Sequence, residues 1–332
     1  MLRKPKILVA GSFMMDLIAS THRAPSAGET VIGTDFHTAP GGKGSNQAVQ
    51  CARLGAEVTM VGQVGDDAFG RELLGAAEHS GVDVSRVLTD PAKATGIAHI
   101  LLEVTRNGVQ NRITVVPGAN YSTTCQQVAW LRDEIGHFDL VLLQLEIPME
   151  INVAVAQYAK AAGVPVMLNP APAAVLPEEL LQCVTYLSPN EHEAALLTGL
   201  PLRVVQSGVD RGDVEAVSAA LLRRGVENVM ITLGENGSVV AGSDEIAYTP
   251  CVKMPEVKDP TAAGDSFVAA FCTGQAAGLP REQALAFAAH AAAITVSRMG
   301  AMPSLPTVEE VQALLRERKY GGFDISELDA LR

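Results

Sequence analysis

Short apolar runs alternate with helical segments along most of the chain, and no other feature constrains its fold more strongly. The runs predicted as core strands are Ile7–Phe13, Val58–Val64, Leu140–Leu145, Val164–Leu168, Tyr186–Ser188 and Val229–Thr232. The segments predicted as helices are Ser45–Leu54, Phe69–His79, Met149–Ala162, Glu191–Leu197, Val214–Arg224, Gly264–Ala277, Arg281–Arg298 and Val308–Lys319. This alternation is typical of an α/β fold, in which a mostly parallel sheet is flanked by helices on both faces.

Two stretches, residues 17–39 and 95–116, break this alternation. Both are rich in β-branched residues and turn signals, including the Arg106-Asn107-Gly108 turn. They predict a small separate β-layer that covers a site, and edge strands of the main sheet are the alternative. No composition shift marks a linker, so we expect one α/β domain over residues 1–319. A tail of unknown role follows at residues 320–332.

Charge and cysteine usage exclude several classes of partner. The formal net charge of −12 argues against nucleic acid and anionic membranes. The 5 cysteines are dispersed without a CxxC pair, which is typical of reduced thiols in a cytoplasmic protein. The 7 histidines show no HExxH spacing, so a catalytic metal held by histidine is not expected. The most apolar late stretch, 284–296, is too short to span a bilayer.

The segment Asp259-Pro-Thr-Ala-Ala-Gly-Asp265 combines small residues with a carboxylate at the start of a predicted helix. Ala262, Ala263 and Gly264 leave the backbone amides unobstructed, and free N–H groups at a helix start bind phosphate. Asp265 can accept a proton from a hydroxyl held beside it. A base beside an anion hole suits phosphoryl transfer to an alcohol. The alternative is an Asp that merely complements the helix dipole.

A glycine cluster, Pro40-Gly-Gly-Lys-Gly-Ser-Asn-Gln-Ala48, leads into another predicted helix. It does not match the P-loop pattern, and the chain lacks a strand-linked GxGxxG, which disfavours a dinucleotide-dependent dehydrogenase. Glycine lets backbone approach a small ligand closely, and Lys43 and Asn46 add hydrogen-bonding groups. A tight turn capped by Ser45 or Asn46 is the alternative.

Two carboxylates follow predicted strands. Glu146 comes just after the apolar run at 140–143, and Asp16 lies at the corresponding end of the first strand. Ligands of open α/β sheets bind at the carboxyl ends of the strands. With Asp265, these side chains form a candidate polyol-binding set, although either could cap a loop.

Two further motifs suggest contacts with nucleotide phosphates. Asn190 opens a helix with Glu193 three positions later, which is the pattern of a capping box. The functional alternative is that Asn190 and Glu193 order water or Mg²⁺ around the phosphates of ATP. The segment Thr232-Leu-Gly-Glu-Asn-Gly237 resembles a hairpin turn, and its functional interpretation is a backbone bed for nucleotide phosphates.

Together these motifs resemble the ribokinase-like carbohydrate kinases, also called the phosphofructokinase-B family. The resemblance extends from Lys6 to about Lys319 and includes, in the family's order, GGKGSNQA, PNEHE, ITLGENG and DPTAAGD. Within the family, the ribokinase and deoxyribokinase branch is the most similar, through GSFMMD, GGKGSNQA, LLQLEIP, LNPAPA, SPNEHEAALLTG and RMGAMPS.

The resemblance implies an ATP-dependent kinase that phosphorylates the 5-hydroxyl of a pentose, with Mg²⁺ and an activating monovalent cation, K⁺. It implies that Asp265 is the catalytic base and that the amides of Ala262, Ala263 and Gly264 form the anion hole. The sugar contacts it implies are Met14, Asp16, Gly42, Lys43, Gly44, Ser45, Asn46, Glu146 and Asp265. The implied ATP contacts are Asn190, Glu193, Thr232, Leu233, Gly234, Glu235, Asn236, Gly237 and Gly264. The implied K⁺ ligands, mostly backbone carbonyls, are Asp259, Thr261, Thr295, Arg298, Gly300 and Ser304. A homodimer formed through the β-lid is also implied.

The chain departs from the family pattern at three positions. Pro260 stands where the family commonly has Thr, which removes a hydroxyl. Ala289, with His290 beside it, stands where ribokinases often place an Asn or His near the adenine. Met14 stands where ribokinases carry Asn, and deoxyribokinases resemble this chain in having Met.

The Met14 departure favours 2-deoxy-D-ribose as the substrate, with D-ribose as the first alternative. A kinase for a nucleoside or another sugar is a further alternative. The non-enzymatic alternative is a sugar-binding regulator, but a regulator has no use for the positioned carboxylate of Asp265.

Overall fold

The computed structural model describes residues 2–105, 108–205, 208–243 and 245–332 of the chain. The strands of the described part form three sheets. The main sheet contains β1 (Lys6–Ala10), β4 (Glu57–Gly65), β5 (Val82–Asp90), β8 (Leu140–Gln144), β9 (Val166–Asn169), β10 (Tyr186–Leu187), β13 (Asn228–Thr232), β14 (Ser238–Ala241) and β15 (Ile246–Thr249). The second sheet contains β2 (Met14–Thr21), β3 (Asp35–Gly41), β6 (Gly96–Thr105) and β7 (Gly108–Val116), and a two-stranded ribbon contains β11 (Val204–Val205) and β12 (Gly208–Val209).

The main sheet has the order β15-β14-β13-β10-β9-β8-β1-β4-β5. All neighbours from β13 through β5 pair in parallel, and β14 and β15 add an antiparallel edge. The helices are α1 (Lys43–Arg53), α2 (Ala68–His79), α3 (Leu131–Glu134), α4 (Met149–Ala162), α5 (Glu178–Leu181), α6 (Glu191–Thr198), α7 (Arg211–Leu222), α8 (Ala263–Ala277), α9 (Arg281–Val296) and α10 (Val308–Glu317). None of the described helices is both long and apolar enough to cross a bilayer.

Alternate side chains of the central strands enter two separate apolar clusters. In β1, Ile7 and Val9 pack with residues of α1, α8, α9 and α10, whereas Leu8 and Ala10 pack with residues of α4 and α7. Successive side chains of a strand point to opposite faces, so helices cover both faces of this sheet. The predicted fold class is therefore confirmed.

The two stretches outside the alternation form the second sheet, which is separate from the main one. Its order is β3-β2-β6-β7, with β2 and β6 parallel and the other two pairs antiparallel. The alternative of edge strands is thereby excluded for these segments. Of the turn predicted at 106–108, residues 106 and 107 lie outside the described part. The function of this sheet as a lid, and the single domain over residues 1–319, stay predictions.

Asp16 does not lie at the end of the first strand, as the sequence predicted, but in β2 of the second sheet. The chain leaves the main sheet at Gly11, immediately after β1. A Cβ at Gly11 would lie 2.2 Å from Oε1 of Gln144 and 2.8 Å from the Cα of Gly44. Gly11 therefore permits a close approach at the break between β1 and β2, which the sequence pattern presents as one apolar run.

The edge strands of the main sheet were not predicted. β5 has a mixed sequence, VDVSRVLTD, and most of its residues are exposed or half-buried. β15 also alternates between exposed and half-buried residues. A strand with one solvated side lacks the continuous apolar run by which buried parallel strands are recognised.

The tail at 320–332, to which the sequence assigned no role, packs onto the domain. Leu328 and Leu331 are fully buried in the cluster that contains α1 and α10. A Cβ on Gly55 would lie 1.9 Å from the carbonyl oxygen of Leu331, and Gly55 has φ of +94°. Gln312 of α10 donates to the carbonyl of Ile325 at 3.2 Å. The tail therefore completes the apolar core at the end of α1.

Candidate active site

Polar side chains gather where the parallel strands of the main sheet end. Gln144 and Asn169 are the last residues of β8 and β9, and Thr232 is the last residue of β13. Asn190 follows β10 and bridges to Thr232. Ligands of open α/β sheets bind at this edge. The sheet alone thus brings together side chains that are far apart in the sequence.

Asp265 lies in the first turn of α8 and is 7% exposed. Its Oδ2 accepts a hydrogen bond from Nδ2 of Asn46 at 3.0 Å, and its Oδ1 accepts one from Nε2 of Gln47 at 2.9 Å. Ala262, the residue before α8, has φ of +59°, a left-handed conformation that non-glycine residues seldom adopt. The carboxylate is therefore fixed in a turn whose backbone is itself constrained.

A cavity of about 220 Å³ opens beside Asp265. A Cβ on Gly264 would meet no atom within 4 Å, so the backbone of this turn has free space next to it. The unpaired amides at the start of a helix can hold an anion in such a space. The cavity is lined by Lys43, Asn169, Ala171, Ser188, Asn190, Glu193, Thr232, Pro260, Ala262, Ala263, Gly264, Asp265 and Val268.

Glu146 is held by the start of α1. Its Oε2 accepts hydrogen bonds from the hydroxyl of Ser12 at 2.5 Å and from the backbone N–H of Lys43 at 3.0 Å. A Cβ on Gly44 would lie 2.3 Å from the backbone nitrogen of Ser12. Gly44 therefore allows α1 to approach β1 closely, and this packing explains its presence without a ligand.

Burial and neighbouring charges shift the pKa of the acidic side chains in this region. The pKa of Asp16 is raised to about 7 by burial and by the charges of Glu146, Asp265 and Asp259. Burial also raises the pKa of Glu146, although Lys43 opposes this. Burial lowers the pKa of Lys43, but Asp265, Glu146 and Glu193 together outweigh it and raise this pKa. Lys43 is therefore held charged among the acidic side chains.

The pair Asn190 and Glu193 forms the capping box that the sequence offered as the structural alternative. Oδ1 of Asn190 accepts from the N–H of Glu193 at 2.8 Å, and Oε2 of Glu193 accepts from the N–H of Asn190 at 2.9 Å. Both residues also line the cavity, so capping does not exclude a second role.

The segment 232–237 is the predicted hairpin turn between β13 and β14, which pair antiparallel. Gly234 and Gly237 have φ of +52° and +88°. Leu233 is 2% exposed within an apolar cluster, so only its backbone can contact a ligand. Thr232 reaches the cavity, whereas the rest of the turn, 233–237, lies outside its lining.

Among the sugar contacts implied by the resemblance, only Lys43 and Asp265 line the cavity. Ser45 is fully buried, and its hydroxyl donates to the carbonyl of Gly41 at 2.6 Å, so it acts within the turn. Met14 is 2% exposed and lies two residues before Asp16 in β2. Both side chains therefore project from the same face of the second sheet.

Asp259 joins the two segments that the resemblance implies for K⁺. Its Oδ1 accepts from the N–H of Thr261 at 2.9 Å, and its Oδ2 accepts from the N–H of Gly300 at 2.9 Å. The guanidinium of Arg298 pairs with Glu310 at 2.5 Å, so its backbone carbonyl is the group left for an ion. The two segments offer oxygen ligands, which suit a hard cation.

Several residues of the site lie within the sequence motifs, but the motifs predict no role for them: Ser12, Gln47, Gln144, Asn169, Ala171 and Ser188. The position of Gln144 and Asn169 at the ends of parallel strands is a signal that could have found them. Gln47 lies inside a helix, and no sequence pattern distinguishes it from a surface glutamine.

The family model described as pfkB family carbohydrate kinase matches residues 4–308. The chain is 41% identical over 321 residues to the ribokinase of Schizosaccharomyces pombe, with 94% of this chain and 98% of that protein covered. It is 32% identical over 311 residues to the deoxyribokinase of Salmonella typhi, with 93% and 98% covered.

The same fold occurs in the solved structure of Arabidopsis thaliana ribokinase complexed with ribose and ATP. The TM-score is 0.85 at 34% identity, with 94% of this chain and 99% of that chain covered. The chain thus belongs to the pfkB family of carbohydrate kinases, enzymes that use ATP to phosphorylate a sugar.

Proposed function

We propose that the protein is a ribokinase that transfers the γ-phosphoryl group of ATP to the 5-hydroxyl of D-ribose. The observation that carries the reaction type is the buried carboxylate of Asp265 in the first turn of α8, beside a cavity. The similarity to ribokinases over nearly the whole chain supports ribose. These relatives favour D-ribose over 2-deoxy-D-ribose, the substrate that Met14 indicates.

In this proposal the chain holds a proton and several charges in place. Asp265 accepts the proton of the 5-hydroxyl as its oxygen attacks phosphorus. The backbone amides at the start of α8 bind the negative charge on the transferred group, and Lys43 supplies a positive charge from α1. Asp16, Gly42, Asn46 and Glu146 hold the sugar hydroxyls. Asn190, Glu193, Thr232 and the 233–237 turn bind ATP.

Mg²⁺ would enter with the phosphates of ATP. Within the described ranges, no cluster of three His, Cys, Asp or Glu residues could hold a metal ion. Magnesium in kinases is bound through few protein carboxylates together with substrate phosphates. Glu193 and Asn190 line the cavity and supply oxygen atoms there. When bound, the ion neutralises charge on the transferred phosphoryl group.

The small sheet has an exposed apolar face that supports a homodimer. Ile113 and Val115 of β7 are 54% and 44% exposed. Val115 pairs with Ala98, and Ala98 pairs with Asp16, so these residues share one face of the sheet. Exposed apolar patches mark interaction surfaces. We propose that a second copy of the chain covers this face, which sedimentation velocity over a range of protein concentrations tests.

A cytoplasmic location remains the expectation from the dispersed cysteines.

A substrate panel tests the sugar specificity. We expect Mg-ATP and D-ribose to give a higher kcat/KM than 2-deoxy-D-ribose, and adenosine to give no turnover. Met14 is the one observation that favours 2-deoxyribose, because Met offers only an apolar surface and a weak sulfur acceptor where Asn could hydrogen-bond a hydroxyl. A higher kcat/KM for 2-deoxyribose would overturn the ribose assignment.

The variant Met14→Asn extends this panel. Apolar pockets reject an added hydroxyl by only about 10²-fold, so the preference that Met14 can impose is moderate. We expect Met14→Asn to raise the ratio of kcat/KM for ribose to that for 2-deoxyribose. An unchanged ratio would show that this side chain does not contact the sugar.

Asp265→Asn tests the catalytic base. General-base catalysis contributes about 10²–10⁴-fold, so we expect turnover to fall by at least that order. Sugar binding, measured by calorimetry, should remain, because the amide is of similar size and keeps one oxygen acceptor. Near-normal turnover in this variant would refute the role of Asp265.

Asp16→Asn tests how much the buried charge of Asp16 destabilises the free protein. The pKa of Asp16 is raised from 3.8 to about 7 in the fold, so its contribution to stability is lost as the pH rises through 7. Each pKa unit is worth about 1.4 kcal/mol, and we expect Asp16→Asn to raise the free energy of unfolding by about 2–4 kcal/mol at pH 8.

The gain in the free energy of unfolding should be clearly smaller at pH 5, where the carboxyl of Asp16 is protonated in the fold. Urea unfolding at both pH values measures it, with exposed Asp66→Asn as the control. A loss of stability at pH 8 would contradict the pKa assignment.

Activation by K⁺ is the expected consequence of the oxygen-rich segments around Asp259. We propose that the ion braces the turn that carries the anion hole without touching the substrate. Activity in K⁺ should exceed that in tetramethylammonium at matched ionic strength. Asp259→Asn should weaken this activation, and equal activity in both salts would argue against the site.

A further inference from the structure

A chain of buried side-chain amides ends on the carboxylate of Asp265. Gln144, the last residue of β8, donates from Nε2 to Oε1 of Gln47 at 2.5 Å. Gln47, in α1, donates from Nε2 to Oδ1 of Asp265 at 2.9 Å. Gln47 and Gln144 are both fully buried. The chain thus links the edge of the sheet, α1 and the start of α8.

The partners of Gln47 determine which way its amide points. Its oxygen accepts from Gln144, and its nitrogen also donates to Oδ1 of Asn169 at 3.2 Å. Asn169 in turn donates from Nδ2 to the carbonyl of Ser188 at 2.8 Å, which turns its oxygen toward Gln47. A reversed Gln47 amide would place its oxygen against the carboxylate of Asp265 and its NH₂ against the NH₂ of Gln144.

Gln47 also constrains the orientation of the carboxylate. Each oxygen of Asp265 has its own donor, because Asn46 contacts Oδ2 and Gln47 contacts Oδ1. Hydrogen bonds to a charged acceptor are stronger than those between neutral groups, and they favour the ionised form. Since Gln47 is fully buried, it acts on Asp265 without access to the sugar.

We propose that Gln47 is a positioning residue that holds Asp265 in the orientation required of the base, and that Gln144 acts only through Gln47. The inference rests on the proposed function, in which Asp265 accepts the proton. Asn46 lies beside the carboxylate with an oxygen, Oδ1, that is buried without a partner, which suits a donor from the sugar. Gln47 has no such group left for substrate.

Other charged groups face Asp265. They are Lys43 from α1, Asp16 from β2, Glu146 after β8 and Glu193 from α6. Replacing Gln47 leaves all four in place. A shift in the pH profile of a Gln47 variant can therefore be compared directly with that of the unmodified enzyme.

The experiment measures kcat and KM for ribose from pH 5 to pH 9 in Gln47→Met, Gln144→Met and the double variant. We expect Gln47→Met to lower kcat about 10–100-fold, the usual contribution of a hydrogen bond to a charged group. The acid limb of the kcat profile should move to higher pH, because the carboxylate loses a hydrogen-bond donor. KM for ribose should stay within about threefold, since Gln47 does not contact the sugar.

Gln144→Met should have the smaller effect, about 3–10-fold in kcat, because Gln47 keeps its bond to Asp265 but loses the group that orients it. The double variant should lose no more than Gln47→Met alone. Losses that multiply in the double variant would show that Gln144 acts independently of Gln47.

Gln50→Met is the matched control. Gln50 lies one turn further along α1, is fully buried, and accepts from the hydroxyl of Ser266 at 3.1 Å, next to Asp265 in sequence. It does not contact the carboxylate. We expect Gln50→Met to keep kcat within about threefold with an unshifted pH profile, and thermal unfolding of each variant separates lost folding from lost positioning.

The outcomes distinguish a failure of the proposed function from a failure of the role proposed for Gln47. An unmodified protein that phosphorylates no sugar would refute both the proposed function and this inference. An active enzyme in which Gln47→Met and Gln50→Met have the same kcat and the same pH profile would refute only the role of Gln47.

Discussion

The site depends on how closely the start of α1 approaches the end of β1. A Cβ on Gly44 would lie 2.3 Å from the nitrogen of Ser12, and one on Gly11 would lie 2.8 Å from the Cα of Gly44. Real Cβ atoms do not reach such distances, so both positions need glycine. This contact lets Lys43, Asn46 and Gln47 of α1 reach the strand ends and Asp265 of α8.

That approach concentrates charge in a buried region. Asp16, Glu146 and Asp265 are each at most 8% exposed, and Lys43 is the cation among them. Burying a carboxylate without a cationic partner is unfavourable, which explains the raised pKa of Asp16. A polyol presents hydroxyl donors that can satisfy these oxygens. In the proposed function, the free protein therefore carries an electrostatic cost that bound sugar would relieve.

The sequence predicted the central strands and the eight longer helices because they have strong periodicity, whereas the short α3 and α5 were missed. The small-residue motif at 259–265 located the turn before α8. It did not separate β1 from β2, since the break at Gly11 lies inside one apolar run. It also could not assign Gln47, because the partners of that amide lie 97 and 218 residues away. Contacts at such separations follow from the sheet topology, which local pattern does not encode.

The residues of the proposed sugar site belong to two different sheets. Asp265 and its donors Asn46 and Gln47 are held by α1, α8 and the main sheet, whereas Met14 and Asp16 are on β2 of the second sheet. In the proposed function, a substitution on β2 would change which hydroxyls are recognised without moving Asp265. In this arrangement the chemistry and the sugar specificity are structurally separable. A Met in β2 is therefore compatible with the proposed ribokinase activity.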